Sequence, residues 1–124
     1  MAKPTKLGPI PTNLLQSTEW LAALVLLTRT SLKEFYTPDY INFTTQEIDF
    51  AGIINHAATH SQQFLARLAA HLFNAYGFDL PPTGMFNLDQ TNLEYALLAI
   101  MLRHRVTPAA LSARLMGLHL GEEE

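Results

Sequence analysis

Three features of the sequence predict an all-α fold, a compact bundle of four helices with a long central helix, or of five if that helix is broken. Hydrophobic residues make up 48% of the 124 residues and charged residues only 15%, well under the usual ~25%, so a large core is available and disorder is excluded. The apolar residues recur at helical spacing over long stretches. The one strand-like string, Tyr40-Ile41-Asn42-Phe43, is too short to build a sheet alone and is read as a connector that packs aromatics over helices.

Each segment follows from local chemistry. Residues 1–16, with Pro4, Pro9 and Pro11, read as an extended N-terminal arm ahead of a single helical domain over 17–120. The first helix is predicted from Thr18 to Tyr36, with Ser17 as N-cap, Glu19 at the positive end of its dipole and Pro38 as its stop. The second is predicted from Thr45 to Tyr76. Thr44 and Glu47 have capping-box spacing, and Gly77 suits a left-handed C-cap. Ile54, Ala57, Ser61, Leu65, Leu68 and Leu72 form one stripe that keeps its phase across Thr59–Ser61, where a break is the alternative.

Asp89 caps the third helix, which runs to Arg105, with Leu88 and Leu93 at hydrophobic-staple positions. Thr107-Pro108 opens a short fourth helix that Gly117 ends. Glu122, Glu123 and Glu124 form an acidic tail over 121–124 and account for the net charge of −3.

The third helix is apolar on two sides. Leu93, Leu97, Ile100, Met101 and His104 share one face, and Tyr95, Leu98, Leu102 and Val106 lie opposite, with polar strips only at Glu94/Arg105 and Asn92/Arg103. Such a helix is buried on both sides, either within its own domain or against a partner. Leu26, Ile53 and Phe64 stand at the margins of their helices' apolar faces and add to the surplus. Large exposed apolar patches mark interfaces. The reading is a small non-catalytic protein acting through protein–protein interaction, as a homo-oligomer or with another protein, with Tyr95, Leu98 and Leu102 as interface residues and no required cofactor.

Other chemistries have less to work with. Cysteine is absent, which removes disulfides, thiolate sites and a cysteine nucleophile. There is no Gly-x-Ser-x-Gly elbow and no P-loop, and paired carboxylates outside the tail are scarce. The longest apolar run, Trp20 to Leu27, is too short to span a membrane, and a cytoplasmic location follows as an expectation. Two alternatives carry named residues. His56 and His60, spaced i, i+4, put two imidazoles on one face of a continuous helix, beside Gln63, Arg67 and His71, and suit a divalent metal in a metal-binding bundle or metal-dependent enzyme. Arg103 and Arg105 are the closest basic cluster and the seat of a nucleic-acid-associated regulator. The scatter of the other basic residues makes nucleic acid an unfavoured partner.

Two short resemblances bear on these alternatives. Residues 55–64, Asn55-His56-Ala57-Ala58-Thr59-His60-Ser61-Gln62-Gln63-Phe64, are similar to the histidine-bearing helix of the DinB-like metal-binding bundles. That family draws a further histidine from an earlier helix and places this one last. Here no histidine precedes His56 and another long helix follows, so membership is not assigned. Thr107 to Leu118 resembles the first half of a helix-turn-helix unit, but only His119, Leu120, Gly121 and three glutamates stand where the recognition helix belongs.

Overall fold

Ser17 accepts a hydrogen bond from the Trp20 amide and so opens the first long helix where the sequence places it. The computed structural model describes residues 7–74, 77–81 and 83–117. Among these residues the chain is mostly helical, with six α-helices and one two-stranded antiparallel sheet. The helices are α1 (Thr12–Leu15), α2 (Thr18–Arg29), α3 (Phe50–His56), α4 (His60–Leu72), α5 (Gln90–Arg103) and α6 (Pro108–Gly117). Strands β1 (Ile41–Asn42) and β2 (Glu47–Ile48) make the hairpin, and 3-10 helices cover Ser31–Phe35 and Gly84–Asn87.

Several boundaries differ from the sequence reading, each for a local reason. The end of the expected arm coils into α1 and buries Leu14. The first helix stops at Arg29, because Thr30 turns to extended backbone. Its hydroxyl donates back to the Leu26 carbonyl and accepts from the Leu32 amide, so the chain continues as a 3-10 helix.

The expected long central helix is three elements. Asn42 Oδ1 accepts from the amides of Thr44 (2.9 Å) and Thr45 (3.0 Å), and Gln46 takes a positive φ of 59°. This turn closes the hairpin, pairing Ile41 with Ile48 and Asn42 with Glu47. The Thr44/Glu47 capping box therefore does not form. Asp49 is the N-cap instead, its carboxylate accepting from the Gly52 amide at 2.9 Å. A second break follows at residues 57–59, where Thr59 caps α4 through the Gln62 amide. Across that break the Gln63 side-chain amide donates to the carbonyls of Ile54 and Ala57, satisfying acceptors at the end of α3. α4 ends at Leu72, with Phe73 as C-cap and Asn74 at φ 68°, so Gly77 lies beyond the helix. Tyr76 is outside the described residues.

Side-chain contacts at both ends fix how the three long helices run. Near one end, Asn92 of α5 accepts from the Ser31 amide, and Gln62 of α4 donates to the Ser31 carbonyl and to Glu34. Near the other, Arg103 of α5 donates to the Leu72 carbonyl of α4 and to Asn74, and Asn74 donates to Glu19 of α2. α4 and α5 are therefore parallel, and α2 is antiparallel to both. The core lies between them, with Leu26, Leu27, Leu32, Ile53 and Leu65 fully buried. Trp20, Phe50 and Phe73 pack edge-on or tilted, and Phe43 of the hairpin joins them from above. Gln62 and Asn92 are buried polar residues, and no buried side-chain polar atom among the described residues lacks a partner.

Candidate interface on the C-terminal helices

α5 begins where Asp89 accepts from the Asn92 amide at 2.8 Å. It ends in a paired turn, with Val106 N–H bonded to the Met101 carbonyl at 2.9 Å and Arg105 N–H to Leu102 at 3.3 Å. Arg105 occupies the left-handed position of that turn, at φ 59°.

The helix seats its small residues inward. Ala96 and Ala99 are fully buried and Asn92 nearly so, one helical turn apart along a single seam. Arg103 continues that seam and spends its guanidinium on α4, at 2.8 Å from the Leu72 carbonyl. α2 is the most extensive neighbour of α5 and itself buries Ala22 and Ala23. Alanines on both helices let the backbones approach closely.

This placement corrects the sequence reading of α5. The strip taken as polar, Asn92/Arg103, is the buried face, because Ala96 and Ala99 lie between its ends. Leu93 and Ile100 pack against the edge of the core, while Leu97 and Leu98 turn outward. Leu97 is 47% exposed and Leu98 37%, with Tyr95, Met101 and Leu102 half-buried around them. Of the three residues expected at an interface, Leu98 is exposed and Tyr95 and Leu102 are half-buried beside it.

α6 extends the exposed apolar surface. Thr107 accepts from the Ala110 amide at 3.1 Å to start it, and none of its residues is buried. Leu111, Leu115 and Met116 are 47%, 52% and 74% exposed. Residues 118–120, where the helix-turn-helix resemblance would be decided, lie outside the described residues. The surplus expected elsewhere is absent: Leu26, Ile53 and Phe64 are all core residues.

The histidine and arginine candidates are dispersed. His56 is the last residue of α3 and His60 the first of α4, so the one-face geometry of a continuous helix does not arise. The His56 Nδ1 is 2.8 Å from the Gly52 carbonyl and 3.4 Å from the Tyr40 hydroxyl, and its ring packs edge-on against Tyr40. Among the described residues no three histidine, aspartate or glutamate side chains meet in a group that could hold a metal. His104, placed by the sequence on an apolar face of the third helix, is an exposed C-cap. Arg103 is turned to α4 while Arg105 is exposed, so the two do not form a joint clamp.

The polar strip of the long-helix reading has a structural use. Gln63, Arg67 and His71 stand one turn apart on α4. They meet the carbonyls of Ile54 and Ala57, of Asp79 and of Phe78 respectively. The strip holds connecting chain. Periodicity alone could not show this, because the partners are backbone groups of distant segments. Burial pushes the Tyr36 phenol above its ordinary value of 10.0.

Comparison with family models, with curated proteins and with solved structures finds no match.

Proposed function

We propose that this protein is a helical interaction module that self-associates through the outward face of α5, with α6 enlarging the contact. One observation carries the reading: α5 fully buries Ala96 and Ala99 and leaves Leu97 and Leu98 exposed. A helix that met only its own domain would place Leu97 and Leu98 inward and alanine outward. α6 supports the same reading. An isolated helix shorter than about 12–15 residues is marginal in water, and α6 has 10 residues with none buried.

A second copy of the chain is the partner that fits best, because the outward face of α5 is complementary to itself when reversed. Glu94 lies in the first half of α5 and Arg105 just past its end. In an antiparallel pair related by a two-fold axis near Ala99–Ile100, Glu94 meets Arg105 of the second copy. Leu98 then meets Met101. A two-fold contact requires this kind of self-complementarity.

Sedimentation velocity over a range of concentrations tests the proposal. The wild-type chain should sediment as a dimer, and Leu98→Glu as a monomer of unchanged helicity. Leu98→Lys is the second variant. It sets a lysine four residues after Glu94, a favourable helical pair, so loss of the dimer there does not come from a weakened helix. A wild-type chain that remains monomeric at high concentration overturns the reading.

A further inference from the structure

The chain between α4 and α5 runs back along α4 instead of crossing directly to the next helix. The Phe78 carbonyl meets His71, the Asp79 carbonyl meets Arg67, and Gly84 closes on Phe64. A Cβ at Gly84 would collide with the Phe64 ring, so glycine is what allows that closeness. Near the start of α4 the returning chain stands off and leaves a cleft of about 330 Å³, at the lower end of ligand-pocket sizes.

The lining of this cleft is chemically one-sided. Arg67, His60, Ser61, Thr83 and Asn87 present polar groups to it, and no carboxylate does. Arg67 donates only to neutral oxygens, the Asp79 carbonyl at 3.3 Å and Gln63 at 3.4 Å, so its charge meets no anion among the described residues. The side chains of His60, Ser61, Thr83 and Asn87 form no hydrogen bond among the described residues. The apolar part of the wall is the accessible edge of Phe64 together with Pro81.

We infer that this cleft is a binding site for a small aromatic carboxylate. Arg67 supplies one permanent charge, which matches a monoanion and leaves a dianion such as phosphate under-compensated. Its planar guanidinium suits a carboxylate held by two parallel hydrogen bonds. The hydroxyl and amide groups of Ser61, Thr83 and Asn87 supply further donors. Pro81 and the accessible edge of Phe64 supply the apolar contact for a ring. The site does not depend on the α5 contact and stands or falls separately from it.

The test is a two-dimensional NMR titration of the whole chain with benzoate, with benzyl alcohol as the uncharged probe and inorganic phosphate as the ring-free anion. Benzoate should shift amides in the first two turns of α4 and in residues 83–87, and the shifts should saturate at millimolar ligand. Benzyl alcohol, and benzoate with Arg67→Gln, should each bind at least about tenfold more weakly, the loss expected for one charge-assisted contact. Arg67→Lys, which keeps the charge but not the planar fork, should fall between, and its spectrum reports whether position 67 tolerates change. Three results would each overturn the inference. These are benzoate shifts that do not saturate, benzoate affinity unchanged by a folded Arg67→Gln, or phosphate binding as tightly as benzoate.

Discussion

Replacing Ala99 by leucine puts the inward face of α5 to a quantitative test. Ala99 is 0% exposed in the seam against α2. Three added heavy atoms have no free volume there, and overpacking of this kind costs typically 1–3 kcal/mol, taken here as about 2. A chain of 124 residues unfolds with an entropy of about 0.26 kcal/mol/K, so the melting midpoint should fall by ~8 °C. Leu98, one residue earlier, sits about 100° around the helix and is 37% exposed. Leu98→Lys loses only part of a leucine's burial, about 1 kcal/mol or ~4 °C. The order reverses what residue size suggests, since adding carbon to the helix harms the fold more than adding charge. Circular-dichroism melts at several protein concentrations, read beside sedimentation, separate the effects. Ala99→Leu lowers the midpoint at every concentration, whereas Leu98→Lys removes the concentration dependence that dimerisation brings. If Ala99→Leu melts within about 2 °C of wild type while Leu98→Lys falls by more than ~8 °C, the leucine face is the core face. Both the inward assignment and the self-association it supports would then be refuted.

Three further outcomes follow from other parts of the molecule. Glu94→Arg and Arg105→Glu should each weaken the dimer, and the double exchange should restore it, as measured by sedimentation equilibrium; a double variant no better than the singles rules out the antiparallel pairing. Gln62→Leu removes the bonds to Ser31, Glu34 and the Ala58 amide from a buried site. It should lower stability to urea by about 2 kcal/mol, and an unchanged urea midpoint would mean that this network does not hold the 3-10 helix to α4. Tyr36 is raised above 10.0 by burial, so the folded chain keeps a proton that the unfolded chain loses. Its contribution is complete below pH 10 and declines as pH rises through the folded value, and Tyr36→Phe should flatten the alkaline limb of a stability–pH curve.

Three caps were legible because they are local, whereas the expected Thr44/Glu47 box and Gly77 C-cap gave way to Asp49 and Phe73. Ser17, Asp89 and Thr107 each place an oxygen within three residues of the amide they accept, and all three do so in the structure. The break after Arg29 and the hairpin at 41–48 were less visible, although their instruments are also local. Thr30 and Asn42 turn their side chains onto neighbouring backbone, a competition with helix that apolar periodicity does not register. The stripe from Ile54 to Leu72 keeps its phase because both helices face the same core, and phase carries no information on whether the backbone between them is helical.

The candidate surface was half legible. The excess of apolar residues on the third long helix is plain in the sequence, and in the structure Leu98 is exposed while Tyr95 and Leu102 are half-buried. Which face is inward was not, because ranking by side-chain size favours leucine for the core, whereas close approach to α2 demands alanine. The donor-lined cleft at Arg67 had no sequence signal at all. It is made by residues 60–67 with Pro81, Thr83, Gly84 and Asn87, brought together when the connecting chain doubles back.

The sequence by itself determined a mostly helical chain, the positions of its strongest caps and the surplus of apolar surface, because composition and short-range hydrogen bonding act within a few residues. The tertiary structure alone decided where the second helix divides, which side of α5 is buried and where polar side chains converge. The buried side of α5 in particular depends on groups that meet across 31 and 61 residues of chain, Arg103 with Leu72 and Asn92 with Ser31.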